Sequence, residues 1–260
     1  MIRVADLLSY YPENLRTFRT FILREYLQYK ILQIIFDNPD YSRQLCFLGG
    51  TCLRIVHDNF RFSEDIDFDN FQLTEPDFQS LSDSIKKQLE REGYEVQMKT
   101  VYKGAYHCYI RFPALLFDEG LSGHREQKIL IQLDTEPQNY EYHPVKYILN
   151  RFDVFTEIPV TPPEILLAQK FYSILNRKRA KGRDFFDVIF LLSKDIRPDY
   201  GYLKMKTGLS DRDTLTSKVL EKCASLNMKT VARDVAPFLF NATEAKKVEL
   251  FENYLNQVKL

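Results

Sequence analysis

Apolar and polar positions along this chain switch between a helical and a strand period. Near the N-terminus, Leu15, Phe18, Ile22, Tyr26 and Ile31 recur at roughly helical spacing with Arg and Glu between them. That pattern predicts one long amphipathic helix over residues 13–37, stopped by Asn38-Pro39-Asp40. An Arg-rich helix with aromatics could touch RNA, but packing against the core explains its apolar face better. A short apolar strand follows, Leu45 to Leu48, then two glycines, a hydroxyl and a helical turn over Cys52 to His57. A second strand begins at Asp65.

Thr74 as N-cap opens a helix whose apolar face is Phe78, Leu81, Ile85 and Leu89, closed by Gly93. Strand-like runs at 94–102 and 106–112 turn at Lys103-Gly104, and a polar loop covers 118–124. The next strand is Ile129 to Asp134, with Ile129, Ile131 and Leu133 on one face and Gln132 and Asp134 on the other. Thr161-Pro162-Pro163-Glu164 predicts a helix start with Thr at N-cap, Pro at N1 and Glu closing a capping box. That helix runs from Ile165 to Leu175; another follows Arg183, and weaker signals place helices at about 211–225 and 244–258. The pattern is α/β. Pro137, Pro144 and Pro159 make 137–161 the expected boundary between a core over 1–160 and a helical C-terminal part over 161–260.

Composition narrows the classes. With 260 residues, 45% hydrophobic and 28% charged, the chain has the balance of an ordinary globular protein. Its formal net charge is zero, so any affinity for nucleic acid must come from a local patch. The densest basic run is Arg177-Lys178-Arg179-Ala180-Lys181-Gly182-Arg183. Cys46, Cys52, Cys108 and Cys223 lack Cys-x-x-Cys spacing, and apolar surroundings suit buried thiols in a reducing cytoplasm. No signal segment or membrane-length apolar run is evident, so the expected location is cytoplasmic. The histidines have no spacing that suits zinc; no Gly-x-Ser-x-Gly elbow and no Walker loop occurs.

The chemistry concentrates in Gly49-Gly50-Thr51 and in Arg61-Phe62-Ser63-Glu64-Asp65-Ile66-Asp67. Asp65 and Asp67, two apart on a strand, point the same way while Ile66 and Phe68 point inward. Carboxylates forced together repel, and a divalent cation is the usual relief. The N–H groups of a Gly-Gly turn at a helix start suit phosphate oxygens, because no Cβ blocks the approach. Ser63 could bond phosphate or cap the local turn. Asp134, on the polar face of its strand, is either functional or merely caps the turn before Glu136-Pro137. Lys170 lies among apolar neighbours, Leu166, Leu167 and Ile174, so it either snorkels or reaches into a pocket. Asp184 and Asp187 share a helix face.

Together, the Gly-Gly-Thr turn, the short helix and the Arg-x-Ser-x-Asp-Ile-Asp strand resemble the signature of minimal nucleotidyltransferases of the polymerase β superfamily. More closely, they resemble the AbiEii/AbiGii toxin family, over roughly residues 40–195. The resemblance implies a polymerase β-like core with a short mixed sheet. It implies that Asp65, Asp67 and Asp134 hold two Mg²⁺ ions and that Gly49, Gly50, Thr51, Arg61, Ser63, Lys170 and Asp184 bind the nucleotide. Asp134 would also take the acceptor's proton. Arg183, Asp184 and Asp187 match the family's Arg-Asp-x-x-Asp element, which either pins two helices or orients Lys170 or the base. The implied activity is transfer of an NMP from an NTP to an acceptor such as tRNA-like RNA, by the toxin of a toxin–antitoxin or phage-defence pair with a separate antitoxin. Two rivals share this signature: an antibiotic- or protein-modifying nucleotidyltransferase, and a catalytically silent fold that only binds.

Overall fold

The structure is a computed structural model that describes residues 2–258. The chain divides into two compact units: Met1–His57, Phe62–Asn139 and Pro144–Val160 form the first, and Asp58–Arg61, Tyr140–His143 and Thr161–Leu260 the second.

The first unit is built on a seven-stranded mixed sheet. Its strands are β1 (Leu45–Leu48), β2 (Ile66–Asn70), β3 (Gln97–Lys103), β4 (Ala105–Phe112), β5 (Ile129–Glu136), β6 (Val145–Arg151) and β7 (Val154–Val160), in spatial order β3-β4-β5-β2-β1-β7-β6. The β1·β7 and β2·β5 pairs are parallel; the others are antiparallel. One face is apolar. Phe47, Ile66, Phe68, Ile131 and Leu133 are essentially fully buried there, at a gain of roughly 1.5–3 kcal/mol for each such side chain. Helices α1 (Arg19–Phe36) and α3 (Glu75–Arg91) pack against the sheet, with Phe36 against Phe68 and Phe78 against Tyr106. Between β1 and β2 runs α2 (Gly49–His57), which packs on β2.

Local signals account for most of these boundaries. Thr74 and Asp77 form the reciprocal capping box that starts α3, and Gly93 (φ +93°) and Gly104 (φ +76°) take the left-handed conformation at the turns after α3 and β3. Helix α1 differs from the single helix expected over 13–37. Residues 13–15 form a separate 3₁₀ turn and the backbone leaves the helical region at Phe18 (φ −83°, ψ 42°), whose ring packs on Phe62. Helix α1 is also buried on more than one side: Glu25, within it, makes a buried ion pair with Arg54 at 2.7 Å. The 137–161 stretch, expected to be a boundary, contains the β6–β7 hairpin, turning through Phe152 at φ +58°. The sheet is mixed, as the resemblance implies, and this hairpin brings it to seven strands.

The second unit is helical: α4 (Pro163–Asn176), α5 (Gly182–Leu192), α6 (Tyr200–Thr207), α7 (Arg212–Ala224), α8 (Met228–Val235) and α9 (Phe251–Gln257), with shorter turns between. The capping box expected at Thr161 does not form. Pro162 occupies the N-cap, and the Thr161 hydroxyl instead meets the Tyr142 hydroxyl at 3.1 Å. The helix expected over 244–258 is broken into a 3₁₀ turn, a single α-turn and α9. At the start of α5, a Cβ on Gly182 would lie 2.1 Å from the Val231 carbonyl, so only glycine allows α5 and α8 to approach this closely. All four cysteines are buried, and burial pushes the Cys108 thiol up to about 11.

Candidate active site

The open face of the first unit's sheet carries the acidic residues, because strand alternation sends their neighbours inward. Ile66 and Phe68 fill the core, so Asp67 projects the other way and is half-buried. Register then sets its neighbours. Across the parallel pair Asp67 stands opposite Asp134, and Asp134 stands opposite His107 on β4. Three polar residues thus form one row across β4, β5 and β2. Asp134 lies inside β5, which continues to Glu136, so the turn-capping alternative for it is excluded.

The Gly-Gly turn joins this row at Asp67. Gly49 has φ +82°, and a Cβ placed on it would sit 2.2 Å from Asp67 Oδ2 and 2.8 Å from Asp67 Cγ. The bare Cα of Gly49 is what lets the carboxylate lie against the first residue of α2. Two residues on, the Thr51 hydroxyl is fully buried and donates to the main-chain carbonyl of Asp65. Thr51 therefore ties the turn to the strand entry that presents Asp65; its hydroxyl faces protein. Ser63 is buried, and its carbonyl accepts from Gln28 Nε2 at 3.2 Å. Asp69, on the same face as Asp67, is also buried and accepts from the Gln138 N–H at 2.8 Å.

Asp134 has two close partners. Its Oδ1 lies 2.6 Å from His107 Nδ1, and Gln132 Nε2 reaches Oδ1 and Oδ2 at 2.9 and 3.0 Å. His107 is the site residue that sequence reasoning passed over. Its signal was present: on a strand ending in buried Ile110 and Phe112, position 107 falls on the polar face. An all-carboxylate donor set suits a hard cation such as Mg²⁺ or Mn²⁺. Asp65 and Asp67, with Asp134 in the adjacent register, fit such an ion in chemistry. Among the described residues, however, no three His, Cys, Asp or Glu side chains are gathered as a metal cage.

The remaining candidates lie in the second unit and form a different kind of cluster. Arg61 is 1% exposed, and its Nε and NH2 donate to Asp187 at 2.7 and 2.6 Å. Asn59 donates to the same carboxylate at 2.7 Å, and Lys170 Nζ lies 2.9 Å from it. Lys170 also stands 3.5 Å from Asp184, which Arg177 approaches at 2.9 Å. Asp187 is fully buried; burial works against its charge, but Arg61 and Lys170 outweigh it and hold the carboxyl below the usual range. The nucleotide contact expected of Arg61 has no support from this placement, since its guanidinium is enclosed by protein. Lys170 neither snorkels nor stands open; it bridges α4 to α5. Of the basic run, Arg177, Lys178 and Arg179 are exposed and Lys181 is half-buried.

Among the described residues, no helix is long and apolar enough to cross a membrane. No curated relative matches the chain. Solved structures similar to it include JHP933 from Helicobacter pylori, at 16% identity over 91% of this chain and 94% of that one, with a TM-score of 0.49. A putative nucleotidyltransferase from H. pylori matches at 17% identity, 91% and 96% coverage and a TM-score of 0.48. An antigenic nucleotidyltransferase-like protein from Paracoccidioides brasiliensis matches at 16% identity, 79% and 92% coverage and a TM-score of 0.46. Likenesses this remote carry no argument about activity. The model of a sequence family matches residues 30–247, and by it the chain belongs to the nucleotidyl transferase AbiEii toxin family of type IV toxin–antitoxin systems.

Proposed function

We propose that the open acidic face of the first unit is a metal-dependent site that transfers a nucleoside monophosphate from an NTP to an acceptor hydroxyl, and that the acceptor is RNA. The observation that carries this reading is the contact of the Asp67 carboxylate with Gly49 at the start of α2, with Asp134 in the adjacent register. Phosphate-binding backbone and metal-binding carboxylate are thereby neighbours, as an NTP·Mg²⁺ substrate requires. Asp65 and Asp67, with Asp134, would hold Mg²⁺, which when bound supplies charge neutralisation at the triphosphate and acidifies the attacking hydroxyl. Gly49 and Gly50 present main-chain N–H groups to the phosphates. Asp134 accepts the acceptor's proton as its oxygen bonds to the α-phosphorus and the bond to pyrophosphate breaks. Lys170 and Asp184 are assigned to the nucleotide only through the family resemblance; the ion pairs within the second unit account for both without it.

RNA is favoured as acceptor by the exposed Lys178 and Arg179, which belong to the densest basic run of a chain of zero net charge. Membership of a toxin–antitoxin family implies a separate antitoxin. The test is a screen of radiolabelled NTPs against RNA, protein and small-molecule acceptors with Mg²⁺. Labelled RNA is the expected result. Label on protein or a small molecule instead would move the acceptor, and no transfer to any class would leave a silent nucleotide-binding fold.

A further inference from the structure

We propose that His107 is a positioning residue for nucleotidyl transfer: together with Gln132 it fixes the carboxylate of Asp134 in the orientation the reaction needs. The inference rests on the function proposed above and extends it to a residue outside the acidic motif.

Geometry comes first. His107, Asp134 and Asp67 stand in one row, paired residue to residue across β4, β5 and β2. Residues paired in this way share a face, so the imidazole can reach only what lies on the open side of the sheet. It reaches Asp134 Oδ1 at 2.6 Å, short for a nitrogen–oxygen contact and in keeping with a charged acceptor. An ionised carboxylate can only accept, so Nδ1 carries the hydrogen. The Gln132 amide spans both oxygens at 2.9 and 3.0 Å. Oδ1 is thus taken twice and Oδ2 once, which leaves the outer lone pair of Oδ2 to meet a cation or a proton.

Exposure then separates orientation from stability. The His107 and Asp134 side chains are each 27% exposed. The pair is part-buried, so water can satisfy either group if the other is removed, and such a pair contributes less to folding than an enclosed one. What the bond does is remove rotational freedom from a carboxylate that would otherwise turn on an open strand. Carboxylates that ligate metals are characteristically held by such outer hydrogen bonds, and losing one weakens metal affinity or activity about 10–100-fold.

The experiment uses the full-length protein and three variants: His107→Ala, His107→Asn and Gln132→Ala. Asparagine keeps a side-chain N–H donor on the same strand position. Mn²⁺ affinity is read by electron paramagnetic resonance in the presence of a non-hydrolysable NTP analogue, alongside kcat, KM for NTP and thermal melting. His107→Ala is expected to lose about 10–100-fold in Mn²⁺ affinity or in kcat, with KM for NTP and melting unchanged. His107→Asn should recover most of that loss, and Gln132→Ala should show a smaller one in the same readouts. A His107→Ala protein equal to the parent in Mn²⁺ affinity and kcat overturns the proposal while leaving the transfer reading intact. So does a loss that tracks a drop in melting and that asparagine does not rescue. A parent that neither binds Mn²⁺ nor transfers nucleotide overturns the transfer reading, and this inference with it.

Discussion

Two clusters of charge in this molecule obey opposite rules. On the open face of the first unit, Asp67 and Asp134 stand side by side, half-exposed and alike in sign. In the second unit, Asp187 is enclosed by Arg61, Lys170 and Asn59, none of them more than 9% exposed, and each carboxylate charge has a cation beside it. In the buried cluster protein cations stand beside each carboxylate, so its charges hold one another. The open one sets two carboxylates of like sign side by side, a repulsion that a bound cation would relieve, and that makes it a candidate for chemistry. Proximity of charged residues in a motif does not tell the two apart. Burial and the sign of the neighbours do.

The comparison breaks most visibly at Asp187. Asp187→Ala leaves Arg61 and Lys170 buried without a counter-charge and should destabilise the protein by about 3–5 kcal/mol in denaturant unfolding. Replacing Arg61, Lys170 and Asp187 together by apolar residues of similar volume should cost far less, because no orphaned charge remains. The same carboxyl has its pKa held below the usual 3.8 when folded, so its contribution is fully present above that pH. As pH falls below 3.8 and protonation of the folded state sets in, the contribution is lost, and the parent's unfolding midpoint should drop there more steeply than that of the triple apolar variant.

The open cluster should respond the other way. Asp67→Ala should lower transfer by about 10²–10³-fold or more, the scale for removing one group that stabilises charge in the transition state. Its melting temperature should stay level or rise, since one of two like charges has gone. Addition of Mg²⁺ and NTP should raise the melting of the parent and hardly that of the variant. A fall in stability resembling that of Asp187→Ala would erase the distinction. Gly49→Ala sharpens it further. The new Cβ meets Asp67 Oδ2 at 2.2 Å and demands φ +82°, so the carboxylate must shift. We expect a loss of about 1–3 kcal/mol in stability from the strained backbone, together with reduced transfer, measured by unfolding and by rate on the same sample.

The elements around the open face were legible because each depends on neighbours in sequence. Alternation of Ile66 and Phe68 with Asp67 set the direction of the acidic side chains, and Thr74 with Asp77 marked the start of α3. What could not be read depends on partners far away. Arg61 belongs to the same motif as Asp65 and Asp67, yet its position is decided by Asp187, 126 residues later. The residues alone left Asp134 open between the acidic face and the turn before Glu136-Pro137; its pairing with Asp67 and Thr135's pairing with Phe68 carry β5 on to Glu136. The β6–β7 hairpin was obscured by its own surface: Val145, Tyr147 and Ile148 are all exposed, so β6 lacks the one-sided pattern that identifies a strand, and Pro144 and Pro159 suggested a break. Thr161 satisfied a capping pattern but lost its role to the Tyr142 hydroxyl. Tertiary partners overrode local propensity in each case.

The smallest expected effect tests where the basic run belongs in this contrast. Arg177 falls on the structural side: its Nε pairs with Asp184 at 2.9 Å, and Lys222 donates to its carbonyl at 3.3 Å. Lys178 and Arg179 fall on the other side, exposed and adjacent in sequence. If RNA is the acceptor, each phosphate contact they make steepens the salt dependence of binding by a log–log slope of roughly 0.7 for single strands. Lys178→Glu with Arg179→Glu, keeping Arg177, should therefore weaken RNA binding and flatten its slope by about 1.4 if both contact phosphate. NTP affinity and melting should stay at parent values, because no buried partner is lost. The measurement is RNA binding across a salt titration, with NTP binding as the control. An unchanged slope would place the whole run among solvated surface charges and remove the support it lends to an RNA acceptor.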